Sequence, residues 1–355
     1  MMGAPDPTAG GAAPPLDTSL ASPLGSPRPW HDPRLLSIIS QLGSLLGLLL
    51  VVGFFWVTAP PFRSTNNLAN IAQQAAVISI VAAGQTFVIL TGGIDLSVGA
   101  VVGLTCSLAA GWMDPSFGFF FTNQPIPSWM ALPLVIVVGT MIGVIHGLLI
   151  TGLNLPPFII TLGSMAIIRG LALVYTKGIT IYEIPTDFRW LYGEAIGPVP
   201  VPIVLVLAIY AICWLVLTQT RFGRHIYAIG GNATAARLSG INVSAELIKA
   251  YAICSFLSAV AGVLLLARLG AGIYNSGETY ELQAIAAVVI GGTSLAGGTG
   301  SVIGSLIGAL ILGVVPTGLV QVGADPRWNN VVLGSIIVLA VLVDVLRKRL
   351  RVTSA

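Results

Sequence analysis

Between positions 68 and 90 the chain runs for 23 residues without one charged side chain. Wound as a helix at 1.5 Å per residue, that stretch is about 34 Å long, enough to cross the roughly 30 Å hydrocarbon core of a bilayer. It does not stand alone. Apolar runs at 35–58, 130–153, 158–176, 199–218, 247–267 and 301–322 repeat the pattern, and shorter ones lie at 97–113, 282–295 and 329–343. A soluble domain carries about 25% charged residues, whereas this chain of 355 carries 8%, with 55% hydrophobic. The expectation is an all-α polytopic membrane protein of about ten transmembrane helices, with no length left for a second soluble domain. Its 42 glycines suit the close helix approach that packing in lipid requires.

Two of the segments are interrupted by glycine. LTGGIDLSVG at 90–99 and GGTSLAGGTG at 291–300 release the backbone, so broken helices are expected there, and their likeness suggests an internal repeat. The run at 282–295 is short enough to be re-entrant, and the basic residues decide for a crossing. If all ten segments cross, one side carries ten Lys and Arg (28, 34, 221, 224, 237, 249, 347, 348, 349 and 351). The other carries five (63, 177, 189, 268 and 327), with Arg169 inside a span. The positive-inside rule then places both termini and the central loop 220–245 in the cytoplasm. Residues 1–33, with eight prolines among Ala, Gly and Ser, read as a disordered cytoplasmic tail. Residues 34–347 form one transmembrane domain, and 348–355 a basic cytoplasmic tail.

No catalytic grouping is present. The chain has no H-E-x-x-H, no C-x-x-C and no G-x-S-x-G, and no residues spaced as metal ligands. None of its three lysines, at 177, 249 and 348, follows a glycine, so no P-loop exists and any ATP chemistry belongs to another polypeptide. The basic residues cluster at membrane edges, which fits lipid headgroups and excludes nucleic acid as a partner. Cys106, Cys213 and Cys254 fall inside spans and read as small apolar residues.

The polar residues at membrane depth admit two readings each. Asp95 is either a substrate or gating contact beside a helix end, or a cap for amides freed by the glycine break. Arg169, which costs about 2.5–3.5 kcal/mol in mid-span without a partner, either lines a polar conduit or pairs with Asp95. His146 reads as a satisfied buried histidine more readily than as a ligand. Between the sixth and seventh spans lies RFGRHIYAIGGNATAARLSGINV, 221–243, a long basic interruption with a short Ala-rich core.

The runs TGGIDLSVGAVVGL, LNLPPFIITLGSMAIIRGLALVYT, FGRHIYAIGGNATAARLSGINV and ELQAIAAVVIGGTSLAGGTGSVIGSLIGALIL resemble the permease subunits of bacterial ABC importers for ribose, xylose and related simple sugars. The resemblance implies a non-catalytic permease of the bacterial inner membrane, forming the translocation path for a monosaccharide. It implies a second permease copy, two copies of a separate ATPase that bind ATP and Mg, and a periplasmic sugar-binding protein. No cofactor is implied for this chain itself. The substrate pathway would draw on Asp95, Ser97, His146, Asn154, Arg169 and Gln283. A coupling helix in the central loop, Thr234 to Gly240, would seat on the ATPase, with Arg221, Gly223, Arg224, Gly231, Asn232, Thr234, Ala235, Ala236, Arg237 and Gly240 as its coupling residues. Members of this family commonly have acidic residues at 233 and 234, Asp at 283 and Asn at 146, where this chain has Ala233, Thr234, Gln283 and His146. The alternative class is an ion-coupled secondary transporter for a small polar solute, for which Asp95 is nearly the sole embedded acid.

Overall fold

The computed structural model describes residues 33–188, 190–197 and 199–352, and side chains from 42 to 339 and at 341 and 342. The expected tail 1–33 lies outside these residues except for Pro33. The chain is a helical bundle with one two-stranded hairpin, in which Ala195 pairs Pro200. In order the helices are α1 (Pro33–Thr58), α2 (Thr65–Leu90), α3 (Val98–Met113), α4 (Ser128–Gly152), α5 (Pro157–Thr176), a single turn α6 (Trp190–Gly193) and α7 (Val201–Gln219). They continue as α8 (Arg221–Gly231), α9 (Ala233–Leu238), α10 (Val243–Leu269), α11 (Tyr280–Ile290), α12 (Val302–Gln321) and α13 (Trp328–Val352).

All ten apolar runs become helices, and among the residues whose side chains are described six of these are long and apolar enough to cross a membrane: α2, α4, α5, α7, α10 and α12. The starts follow ordinary capping rules. The Ser64 hydroxyl accepts the Asn67 amide at 3.3 Å to open α2, Pro157 opens α5, and Gly270, in the left-handed region, closes α10. The basic segment expected as a separate tail at 348–355 does not begin at a helix end, because α13 continues through Val352.

The bundle is organised around α2. In its most apolar 18 residues 89% are buried, against 17% in α5, so α2 is the central post and α5 an outer one. Helices α10, α12, α11 and α7 pack around α2, and α4 lies along α10. Three of the four glycines of α12 seat α11 and α2: a Cβ at Gly304 would stand 2.0 Å from the Gly291 carbonyl oxygen, one at Gly308 2.0 Å from that of Ala287, and one at Gly313 2.5 Å from the Ala75 methyl. Only glycine allows that approach.

The two glycine breaks shape the interior. After α2, residues 91–97 leave helical geometry and α3 restarts with 16 residues. After α10, residues 271–279 run back along α3, so that a Cβ on Gly103 would meet the Ser276 carbonyl at 2.5 Å and one on Gly99 the Gly277 carbonyl at 2.4 Å. Helix α11 starts there and is 11 residues long, about 16 Å, half of a bilayer core. The expected run 282–295 thus opens as a half-length helix preceded by a series of turns, buried at Ala271, Gly272 and Gly277 and exposed at Asn275, Glu278 and Thr279. At its far end the second break folds onto the first, where the Gly298 amide donates to the Leu90 carbonyl at 2.9 Å.

Candidate functional site: a buried polar path and an exposed coupling helix

The polar residues at membrane depth form two groups. In the first, Asp95 is fully buried and its Oδ1 accepts the Ser97 amide at 2.9 Å and the Ser97 hydroxyl at 2.6 Å. With its amide oriented by hydrogen bonding, Gln85 on α2 brackets the Asp95 backbone, 3.2 Å from both its N and its O. The carboxylate thus closes a two-residue turn onto Ser97, which precedes α3, and its Oδ2 holds no hydrogen bond among the described residues. His146, Tyr251 and Cys254 lie within reach of its charge. His146 is buried, and its Nε2 stands 2.6 Å from the Ser164 hydroxyl on α5.

Arg169 belongs to the second group. The structure replaces the expected Asp95 partner with Glu281, whose Oε1 accepts from Arg169 Nη2 at 2.8 Å. The reason is topological: residues 271–279 carry the first turn of α11 deep into the bundle, while the glycine break turns Asp95 back onto its own chain. Glu281 Oε2 holds no hydrogen bond among the described residues and lies against Gly99, where a Cβ would be 2.2 Å away. Gln283, half-buried two residues further along α11 and so on another face of it, donates to the Thr279 hydroxyl at 3.0 Å. Asn154 joins neither group; it is exposed in the α4–α5 turn with a left-handed φ of 52°.

Sequence reading passed over Glu281, which sits at what looks like a loop boundary, and over Ser164 and Tyr251, which have no charge to draw notice. An apolar groove of ≈ 200 Å³ between α2, α7 and α10, lined by Phe87, Cys213, Phe256 and Leu257 among others, offers no polar partner to a hydroxylated solute. Among the described residues no group of His, Cys, Asp and Glu could hold a metal ion.

The central loop 220–245 folds into two helices. The Thr220 hydroxyl caps α8 by accepting the Gly223 amide at 3.2 Å, and Gly223 is required because a Cβ there would lie 2.2 Å from the Leu217 carbonyl. Arg221 and Arg224 are exposed, while Ile226 and Ile229 turn inward. Asn232 caps α9 (3.0 Å from the Ala235 amide) and Asn242 caps α10 (3.1 Å from the Ala245 amide). On α9, Thr234, Ala235, Arg237 and Leu238 are exposed, as are Gly231 before it and Gly240 after it. Ala236 faces the other way, buried with Ile229 and Val243. Leu238 is 85% exposed, an apolar side chain on a six-residue helix tip that little among the described residues covers.

A bundle of apolar helices with a polar, helix-broken interior, no catalytic or nucleotide-binding grouping, and an exposed helical knob between spans is a transport protein that takes its energy from another subunit. Residues 67–341 match the family described as branched-chain amino acid transport system / permease component, and the chain belongs to that family. It is similar to the ribose import permease protein of Bacillus subtilis, 42% identical over 86% of this chain and 93% of that one. The ribose import permease protein of Escherichia coli K12 is 41% identical over 85% and 92%. The galactose/methyl galactoside import permease protein of the same strain is 36% identical over 88% and 96%. No solved structure matches the chain. The chain is a non-catalytic permease subunit of a bacterial inner-membrane ABC importer, which works with a separate ATPase and a periplasmic binding protein.

Proposed function

We propose that this permease carries a monosaccharide, of the ribose, galactose or related class, along a path on the exposed side of α5 between two copies of the chain. The observation that carries this reading is Arg169. Its side chain is 32% exposed on a helix whose most apolar 18 residues are only 17% buried. Glu281 neutralises one side of the guanidinium, and its open side is less favourable against lipid than against polar groups, so the face is better covered by a second copy and a hydrated solute. Arg169, Glu281 and Gln283 offer donors and acceptors to sugar hydroxyls, and Asp95 with Ser97 and Gln85 fixes the broken backbone. Similar permeases named for ribose, galactose and allose support those sugars, while xylose rests on the resemblance of the motifs alone. Both termini and the α8–α9 knob are assigned to the cytoplasm by the charge count, with ten crossings, two of them broken.

On this reading α9 seats in the ATPase. Its small face (Ala235, Gly240) allows close approach, Arg237 reaches acidic groups, and Leu238 is the apolar anchor. Burying a leucine is worth about 2 kcal/mol, so Leu238→Glu is expected to weaken ATPase binding roughly thirtyfold or more, read by co-purification or surface titration. Ala236→Glu is not a surface change, because Ala236 packs under α9.

The test of the whole reading is reconstitution with the co-expressed ATPase in lipid, measuring ATP hydrolysis and sugar uptake with and without loaded binding protein. Uptake that needs no ATPase and collapses with an ionophore would establish the ion-coupled alternative instead. A second measurement addresses the pairing of copies. Ile167→Cys, at a side chain 64% exposed on α5, is expected to cross-link two copies under mild oxidation, and a strictly monomeric product would count against the dimer.

A further inference from the structure

The knob and the membrane interior are in direct contact. The two glycine breaks meet at the end of α2, where the Gly298 amide bonds the Leu90 carbonyl and Gly297 lies against Gly92, a Cβ there coming within 2.7 Å of the Gly92 nitrogen. The last turn of α8 is pressed onto this seam. A Cβ on Gly230 would stand 1.9 Å from the Leu90 carbonyl oxygen and 2.3 Å from the Gly298 amide nitrogen, so one backbone lies flat upon two others. One turn earlier the Tyr227 hydroxyl donates to the Gly300 carbonyl at 3.0 Å. Gly297, Gly298 and Gly300 all have positive φ (85°, 73° and 153°), so this loop holds a shape only glycine adopts readily.

We infer that Tyr227 and Gly230 are positioning residues that latch α8 to the seam of the two breaks, making α8 the strut through which the ATPase moves the polar path. The inference rests on the reading of α9 as the ATPase seat. The mechanical links on either side are visible. Outward, Ala236 of α9 is packed with Ile229 of α8, so a push on the knob is carried by apolar contact into α8. Inward, the seam is one end of α11, and the first turn of α11, about 16 Å away, carries Glu281 on Arg169. The seam also ends α2 and begins the turn into α3, whose Gly99 lies against the same Glu281. Both half-helices that meet at the ion pair are therefore held at the seam that α8 touches. Interior packing does not deform smoothly, so a displacement of α8 switches the seam between discrete arrangements.

Two features fit a moving part. The flank of α8 away from the seam is held to α10 by polar contacts, with His225 Nδ1 2.9 Å from Glu246 Oε1, Glu246 Oε2 accepting from Lys249 at 3.2 Å, and the Lys249 ammonium 5.7 Å over the Phe222 ring. Ile226 and Phe222 join the same helix to the apolar core, Phe222 stacked on Phe87 of α2, so a push on α8 reaches α2 as well. The seam itself has one hydroxyl bond and one amide bond to break or re-form. Burial pushes the Tyr227 phenol above its usual pKa, so the donor keeps its proton at any working pH.

The experiment uses the full importer in lipid nanodiscs, permease with ATPase and loaded binding protein. Tyr227→Phe removes one oxygen, and Gly230→Ala wedges a methyl into the seam. Both are expected to retain the ATPase at wild-type affinity, while stimulation of ATP hydrolysis by loaded binding protein and sugar uptake fall together by about tenfold, the order of a typical coupling between sites. Leu238→Glu, by contrast, loses the ATPase itself. Should Gly230→Ala fail to assemble, Tyr227→Phe decides alone. Wild-type stimulation and uptake in Tyr227→Phe would overturn the latch and leave the importer reading intact. Loss of ATPase binding by Tyr227→Phe would also overturn it, making α8 part of the seat. If the wild-type complex shows no ATP-dependent uptake, the importer reading fails and the latch with it.

Discussion

Glu281→Ala is expected to destabilise the bundle by about 3 kcal/mol, near the lower end of the cost of removing one member of a buried ion pair. The value is held down because the Arg169 side chain keeps 32% of its surface open, whereas Glu281 keeps 10%. Thermal unfolding of the purified permease in detergent or nanodiscs measures it. The double replacement Arg169→Met with Glu281→Met separates structure from transport. Replacing both charges with apolar groups of similar size is often neutral or stabilising, so melting should return towards wild type while sugar uptake stays lost. Recovery of uptake along with stability would remove the pair from the path and leave it a structural contact.

The second large effect is expected at the α11–α12 crossing. A Cβ at Gly308 would lie 2.0 Å from the Ala287 carbonyl oxygen, and the atoms it meets are backbone, which cannot rotate away. Gly308→Leu must push α11 off α12. Overpacking of this kind costs typically 1–3 kcal/mol and more where backbone is displaced. Here it should exceed 3 kcal/mol, because α11 also supports Glu281 and the seam. The expected readout is failure to accumulate as a folded species, or melting far below wild type, with Gly308→Ala intermediate. A wild-type melting curve for Gly308→Leu would show that the two helices do not cross there.

These two sites differ in how far the chain alone reveals them. The glycines at 304 and 308 are legible as a packing pair in an apolar helix, because small residues four apart share a helix face whatever the partner, while Gly313, five residues on, turns to α2. Glu281 was legible only as an acid near a loop. Its role depends on residues 271–279 threading back along α3, and an irregular segment has no period from which its course can be read. The same limit explains Arg169. Its cost at membrane depth announced that it needs a partner, yet the partner lies 112 positions away in sequence.

For the loop 220–245, basic character and the small residues of α9 were apparent in the letters. Which side of α9 is free was not: Ala235 is exposed and Ala236 buried, a distinction set by where α8 and α10 lie. Likewise Asn232 and Asn242 stand in sequons, and the fold uses both as helix caps.

Taken by itself, the sequence determined the solvent and the elements. Ten apolar runs and an 8% charged fraction leave only helices in lipid, since a bilayer offers the backbone no other partners, and without a P-loop any ATP chemistry belongs to another chain. Tertiary structure alone decided that α11 is a half-helix, that Arg169 meets Glu281 and not Asp95, and that α8 rests on the seam between Leu90 and Gly298. Helix formation follows from local backbone hydrogen bonding and transfer free energy, which any window of the chain reports. The pairings follow from close backbone approach at glycines far apart in sequence, and these become defined only when the whole bundle packs.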